Sequence, residues 1–122
     1  MTHEESRIQI ECIKWFDYAY PTLRLNLFAV PNGGKRSKFA GGIQKAEGMR
    51  AGVADLFLAV PHFGNFVQGT FKMGLFIEMK TAKGVQQDTQ KAFQKAVEAQ
   101  NYKYIICRSF DEFQIVVENY IK

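Results

Sequence analysis

Glu78 and Lys80 stand two residues apart in the apolar run Gly74-Leu75-Phe76-Ile77-Glu78-Met79-Lys80, and Asp55 opens a second apolar run, Asp55-Leu56-Phe57-Leu58-Ala59-Val60. Side chains alternate along an extended chain, so Glu78 and Lys80 share one face of a strand. A carboxylate and an ammonium in an apolar strand are costly to bury unless something uses them. A divalent cation and a phosphodiester are the natural users. Sequential strands usually lie side by side, and if these two do, Asp55 and Glu78 converge. Two hard oxygen ligands suit Mg²⁺, which takes few protein groups and keeps several waters. The backbone carbonyl of Met79 is a candidate third ligand. Such a cation would polarise a phosphoryl oxygen and help deprotonate an attacking water. Lys80 would orient that water or balance the charge growing on the phosphate. Glu11, mid-helix on the edge of an apolar stripe, could reach the cation through a water.

Each residue also has a plainer reading. An Asp ahead of a strand is usually a turn former, and Glu-x-Lys in a strand is usually a solvated face with a cross-strand partner. Their joint appearance at the ends of apolar strands is more specific than either alone. Gln90, read by itself, is an exposed helix residue among several glutamines. Lys35, Arg36 and Lys38, with Arg50 later, could track a phosphate backbone; a solvated basic loop explains them equally well. His3 and His62 are isolated and carry no assignment. The aromatic stripes read as core rather than as stacking platforms.

These residues need a scaffold. With 122 residues, 47% of them apolar, the chain is expected to form one domain, residues 1–122, with a sizeable core. No apolar run approaches the length that crosses a bilayer. The polar, acidic start Met1-Thr2-His3-Glu4-Glu5-Ser6 is unlike a signal peptide, which makes a reducing cytoplasm the default. Cys12 and Cys107 fall in apolar patterns on different elements, as buried free thiols do. A net charge of +4 permits a polyanionic partner without establishing one.

The periodicities predict eight elements in the order α-β-α-β-β-α-β-α. A helix over about 6–18 carries Ile8, Cys12, Trp15 and Phe16 on one stripe and ends at Pro21. Leu23 to Val30 alternates like a strand. Pro31-Asn32-Gly33-Gly34 reads as a turn. A helix follows over about 39–50, then strands at 55–60 and 74–80, the latter apolar on both faces and therefore central. Residues 62–72 read as a loop. Asp88 to Gln100 reads as a helix with Ala92, Phe93, Ala96 and Val97 inward. A strand at 102–107 and a helix from Phe110 to Tyr120 complete the chain. The order implies an α/β domain, a mixed sheet flanked by helices.

Taken together, the motifs resemble those of the virus-type replication-repair nuclease domain, or VRR-NUC, within the PD-(D/E)XK superfamily. The resemblance runs from an acid in the first helix, through Phe28-Ala29-Val30-Pro31-Asn32-Gly33-Gly34-Lys35-Arg36, to the Gly-rich approach Gly48-Met49-Arg50-Ala51-Gly52-Val53-Ala54-Asp55. It continues through Ile77-Glu78-Met79-Lys80 to a helix bearing Gln90. It implies a restriction-endonuclease-like fold, cation ligation by Asp55 and Glu78, and a catalytic Lys80. It further implies a supporting Glu11, Gln90 beside the active site, and Asn32 near the substrate. The activity implied is Mg²⁺- or Mn²⁺-dependent, structure-selective cleavage of DNA, in particular branched DNA such as four-way junctions, by a homodimer. The last helix or the 62–72 loop would supply the dimer interface. Ala54 stands where the family usually has proline, which would loosen the approach to the strand without removing a reacting group. A non-catalytic DNA-binding module with the same fold, or an interaction protein whose acids are surface charges, is the alternative.

Overall fold

The computed structural model describes residues 1–31, 38–65 and 67–122. The elements occur in the predicted order: α1 (His3–Ala19), β1 (Leu27–Ala29), α2 (Lys38–Ala46), β2 (Leu56–Leu58), β3 (Leu75–Met79), α3 (Asp88–Glu98), β4 (Lys103–Cys107) and α4 (Phe110–Ile121). The four strands form one sheet in the order β1-β2-β3-β4. β1 pairs antiparallel with β2, β2 antiparallel with β3, and β3 parallel with β4. β3 is thus central, and its parallel partner is reached through the α3 crossover, as parallel strands require.

Alternation along the strands sorts the two faces. Leu56, Leu58, Leu75, Ile77, Met79 and Cys107 point to one side, where Cys12 and Phe16 of α1 and Phe113, Val117 and Tyr120 of α4 close a fully buried core. Trp15 meets Phe110 and Phe113 edge-on, with ring centroids 6.4 and 6.1 Å apart, and so locks α1 to α4. The opposite face carries Phe57 and Phe76 with ring centroids 4.4 Å apart, and Phe93 of α3 stands perpendicular on Phe76. Glu78 and Lys80 follow Phe76 on this face, beneath α3. Cys12 and Cys107 are free buried thiols; burial pushes both up to about 12, which keeps them protonated and unreactive.

α2 ends at Ala46 rather than near residue 50 and β2 is confined to Leu56–Leu58, and the structure departs from the periodicities in three further places. Pro21–Asn26 is a 3-10 helix, so the strand begins only at Leu27. Pro21 supplies the first position of that helix, and Leu25 ends fully outside the core, 87% exposed. Leu23, Leu25 and Leu27 imitate a strand because three alternating residues are too few to fix a period, and in the fold Leu27 enters the core while Leu25 does not. α1 starts at His3, not near residue 6, because Thr2 and Glu5 form a capping box: the Thr2 hydroxyl accepts from Glu5 N–H and the Glu5 carboxylate from Thr2 N–H. On α3, Phe93 and Val97 turn inward beside Gln90 and Gln94, while Ala92 and Ala96 are exposed.

Candidate active site

The strand register brings the acids together. Leu56 pairs with Ile77, and continuing that antiparallel register by one residue sets Asp55 opposite Glu78. The Asp55 carboxylate is held there by the backbone: Met79 N–H donates to Asp55 Oδ2 at 2.7 Å. Parallel pairing to β4 turns Lys80 N–H toward Cys107, whose carbonyl it reaches at 3.0 Å. Alternation therefore turns both the N–H and the C=O of Met79 toward the Asp55 side. Val30 N–H in turn donates to Asp55 C=O at 2.8 Å, so the chain after β1 forms the next wall.

Glu78 is only 4% exposed. Its Oε2 accepts from Gln90 Nε2 at 3.2 Å, while its Oε1 is shut away with no hydrogen-bond partner among the described residues. Gln90 is fixed at its other end, since its Oε1 accepts from Gln87 N–H at 2.7 Å and caps α3. The glutamine thus couples the start of α3 to one oxygen of Glu78. Burial, then the neighbouring Asp55 carboxyl, push the Glu78 carboxyl from 4.5 up to about 8; Lys80 pulls the other way. Two carboxyl groups within hydrogen-bonding reach cannot both ionise cheaply without a cation.

Lys80 is 9% exposed, and its ammonium makes no ion pair within 4.0 Å among the described residues. Its stem lies against Gly84, where a Cβ would come within 3.2 Å of Lys80 Cδ. Arg108 clamps that turn by donating to Thr81 C=O at 2.9 Å and Gly84 C=O at 2.6 Å. Together Asp55, Glu78, Lys80 and Gln90 line one cleft of about 670 Å³ at the end of the sheet, closed on its far side by Glu5 and Gln9 of α1. Among the described residues no group of three His, Cys, Asp or Glu is arranged to hold a metal. The donor set is two carboxylates with a backbone carbonyl beside them, and one carboxylate oxygen is left unpaired. That composition fits a hard, largely hydrated cation such as Mg²⁺ and would not enclose zinc.

Residues 3–111 match the protein-family model described as the VRR-NUC domain. The chain belongs to the VRR-NUC domain family. A solved structure described as a VRR_NUC domain protein superposes with a TM-score of 0.80 at 19% identity, covering 99% of this chain and 90% of that one. At that identity the likeness concerns the fold: a four-stranded mixed sheet flanked by helices. No curated protein matches. Membership in this nuclease family agrees with a cleft built from Asp, Glu and Lys on adjoining strands.

The VRR-NUC cleft does not contain Glu11. That residue is exposed on α1, and the acid that α1 presents instead is Glu5, 8% exposed. Helix phase explains the correction. Glu5, Gln9, Cys12 and Phe16 recur at spacings of four, three and four and share one stripe, whereas Glu11 is rotated about 100° from Cys12. The missed signal is Thr2-x-x-Glu5, which starts the helix early enough to place Glu5 on it. Asn32, Lys35 and Arg36 lie outside the described residues, and so does the side chain of Lys38, whose backbone opens α2.

Gly52 fixes the approach to Asp55. It adopts φ +85°, and a Cβ there would fall inside the Thr89 carbonyl at the start of α3. Gly52→Ala is therefore expected to destabilise the protein by on the order of 3 kcal/mol, left-handed backbone strain adding to a backbone clash. Urea unfolding of the variant checks this; a midpoint equal to the parent's would refute it.

Proposed function

We propose that this protein is a Mg²⁺- or Mn²⁺-dependent endonuclease that hydrolyses phosphodiester bonds in DNA. The observation that carries the reading is the meeting of Asp55 and Glu78, with a buried carboxylate oxygen and the Lys80 ammonium in the same cleft both lacking a partner among the described residues. Asp55, Glu78 and the carbonyl of Met79 would hold the cation. When bound, it would polarise the scissile phosphate and make water acidic enough to attack. Lys80 supplies positive charge where the phosphate accumulates negative charge. Gln90 holds Glu78 by Oε2 and leaves Oε1 without a partner among the described residues. Glu5 adds a third carboxylate to the wall, with one oxygen engaged by Thr2 N–H.

Branched DNA as the preferred substrate, and a two-fold dimer that presents two sites to two strands, extend this reading from the family resemblance. Among the described residues, Phe63, Val67 and Met73, exposed on the connection between β2 and β3, and Ile115 on α4 are apolar groups available for such an interface. Asn32, Lys35, Arg36 and Lys38 would contact the DNA backbone.

The test is cleavage of an end-labelled four-way junction and of the matching linear duplex, with Mg²⁺, with Mn²⁺ and with EDTA. Metal-dependent products, formed faster from the junction, are expected. Binding without cutting under every condition would leave a DNA-binding module, and neither binding nor cutting would remove nucleic acid from the account. Within the same assay Glu5→Gln is expected to slow cleavage at least tenfold, while Glu11→Gln stays within twofold of the parent. The reverse ranking would refute the placement of α1.

A further inference from the structure

Glu78 Oε1 is not the only screened polar atom of the cleft left without a partner. Gln9 Oε1, one helical turn beyond Glu5 on the inward stripe of α1, is also shut off from solvent and has no hydrogen-bond partner among the described residues. Buried acceptors without donors are uncommon in folded proteins, and each calls for a reason. The oxygen gains nothing from its surroundings in the metal-free chain: a methionine of the same length would fill the space without an orphaned acceptor.

The cleft that Gln9 lines is rich in carboxylate acceptors, and its side-chain donors Lys80 and Gln90 stand on the sheet and α3 side. Glu5 gives one oxygen to Thr2 N–H. Glu78 gives one to Gln90 and leaves the other unpaired. The two unpartnered oxygens, Gln9 Oε1 and Glu78 Oε1, are satisfied together by a species presenting protons on more than one side. A hydrated divalent cation is such a species, because its shell waters turn their hydrogens outward and are polarised by the charge within.

We propose that Gln9 is a positioning residue of this site: when a cation is held by Asp55 and Glu78, the Gln9 amide turns its oxygen, screened in the metal-free chain, to accept a hydrogen bond from a water of the cation's shell. The inference rests on the cation-dependent reading above. The choice of glutamine follows from charge. Asp55, Glu78 and Glu5 already bring three carboxyl groups to the cleft, and a neutral acceptor orients a shell water without adding a fourth. Gln9 touches no substrate in this scheme and acts through the water it holds.

Mn²⁺ binding to the full chain, measured by titration calorimetry, tests this without reference to cleavage. Gln9→Met keeps the shape and loses the acceptor; it is expected to weaken Mn²⁺ binding about tenfold, as loss of an outer hydrogen bond to a metal site does. Its melting temperature in EDTA should equal or exceed the parent's, since an unsatisfied acceptor has been removed. Gln9→Glu keeps an acceptor and is expected to bind Mn²⁺ at least as tightly as the parent. Its melting temperature in EDTA should be lower. Mn²⁺ affinity of Gln9→Met within twofold of the parent, or of Gln9→Glu as weak as that of Gln9→Met, would overturn the assignment. Asp55→Asn separates the two levels. Loss of Mn²⁺ binding in Asp55→Asn beside unchanged binding in Gln9→Met sinks the role of Gln9 alone. Unchanged binding in Asp55→Asn sinks the cation site and Gln9 with it.

Discussion

Lys80→Met is expected to lower the single-turnover cleavage rate by roughly two to three orders of magnitude at saturating Mg²⁺, with cation affinity left near the parent's. The methionine retains most of the stem that packs on Gly84 and removes only the charge at its tip. A point charge aimed at a developing oxyanion in a partly enclosed cleft contributes about 3–4 kcal/mol to the transition state, which is a factor of 10²–10³ in rate. Arginine would not substitute, because its planar fork is longer and the Gly84 turn, clamped by Arg108, leaves the stem little freedom. Asp55→Asn should give a comparable loss by the other route. Its amide oxygen can still accept from Met79 N–H, so the fold is kept, but the charge that attracts the cation is gone. Measuring rate and Mn²⁺ affinity for both variants distinguishes the roles: Lys80→Met loses rate alone, and Asp55→Asn loses affinity as well. If Lys80→Met cuts at the parent's rate, the lysine is a structural residue and the proposed chemistry lacks its electrophile.

Glu78→Gln is expected to abolish cleavage and yet to make the metal-free protein more stable at pH 8. The carboxyl titrates near 4.5 when unfolded and at about 8 in the folded chain, chiefly because it is buried and then because of Asp55. Between those values the folded protein binds more protons than the unfolded one, so stability falls as pH rises. Above pH 8 the folded chain holds an ionised carboxylate in a screened place, at full cost. Glutamine carries no charge to bury. In EDTA the parent should therefore melt progressively lower from pH 5 to pH 8 while the variant changes much less. At pH 8 the variant should lead by on the order of 2 kcal/mol, or roughly 5–10 °C for a domain of this size. Saturating Mg²⁺ should restore the parent, since a ligand that binds only the folded state stabilises it by mass action. Parallel melting curves for parent and variant across that range would show that Glu78 is solvated or paired in the folded protein. Such a trade of stability for function is common where charges are gathered for catalysis.

These expectations draw on a site that was partly legible before any fold was known. Glu78 and Lys80 could be placed on one face from a period of two, and the apolar run around them marked a central strand. Asp55 was conspicuous as the single charge opening an apolar run. Gln90 was not: as one glutamine among several, it had no local mark, and its importance comes from the 3.2 Å bond to Glu78 and the 2.7 Å cap on its own helix. Gln9 carries no mark in the sequence, because an orphaned oxygen is a property of surroundings and not of a residue type. Leu23 to Asn26 misled for the converse reason, since a short alternation is compatible with both a strand and a 3-10 helix until the core decides which leucines it takes in.

The acid contributed by α1 shows where the division lies. Residue types and their short spacings, written in the chain itself, determined that this protein would place carboxylates and a lysine on apolar strands of an α/β domain, because alternation within a strand needs no distant partner. Only the folded chain decided that Asp55 stands opposite Glu78 and that Glu5, rather than Glu11, closes the cleft. The first depends on register, where a slip of one residue sends a side chain through to the other face. The second depends on helix phase, where each residue turns the next by about 100°. Neither quantity is carried by any short stretch of sequence; both are settled when separate elements pack against one core.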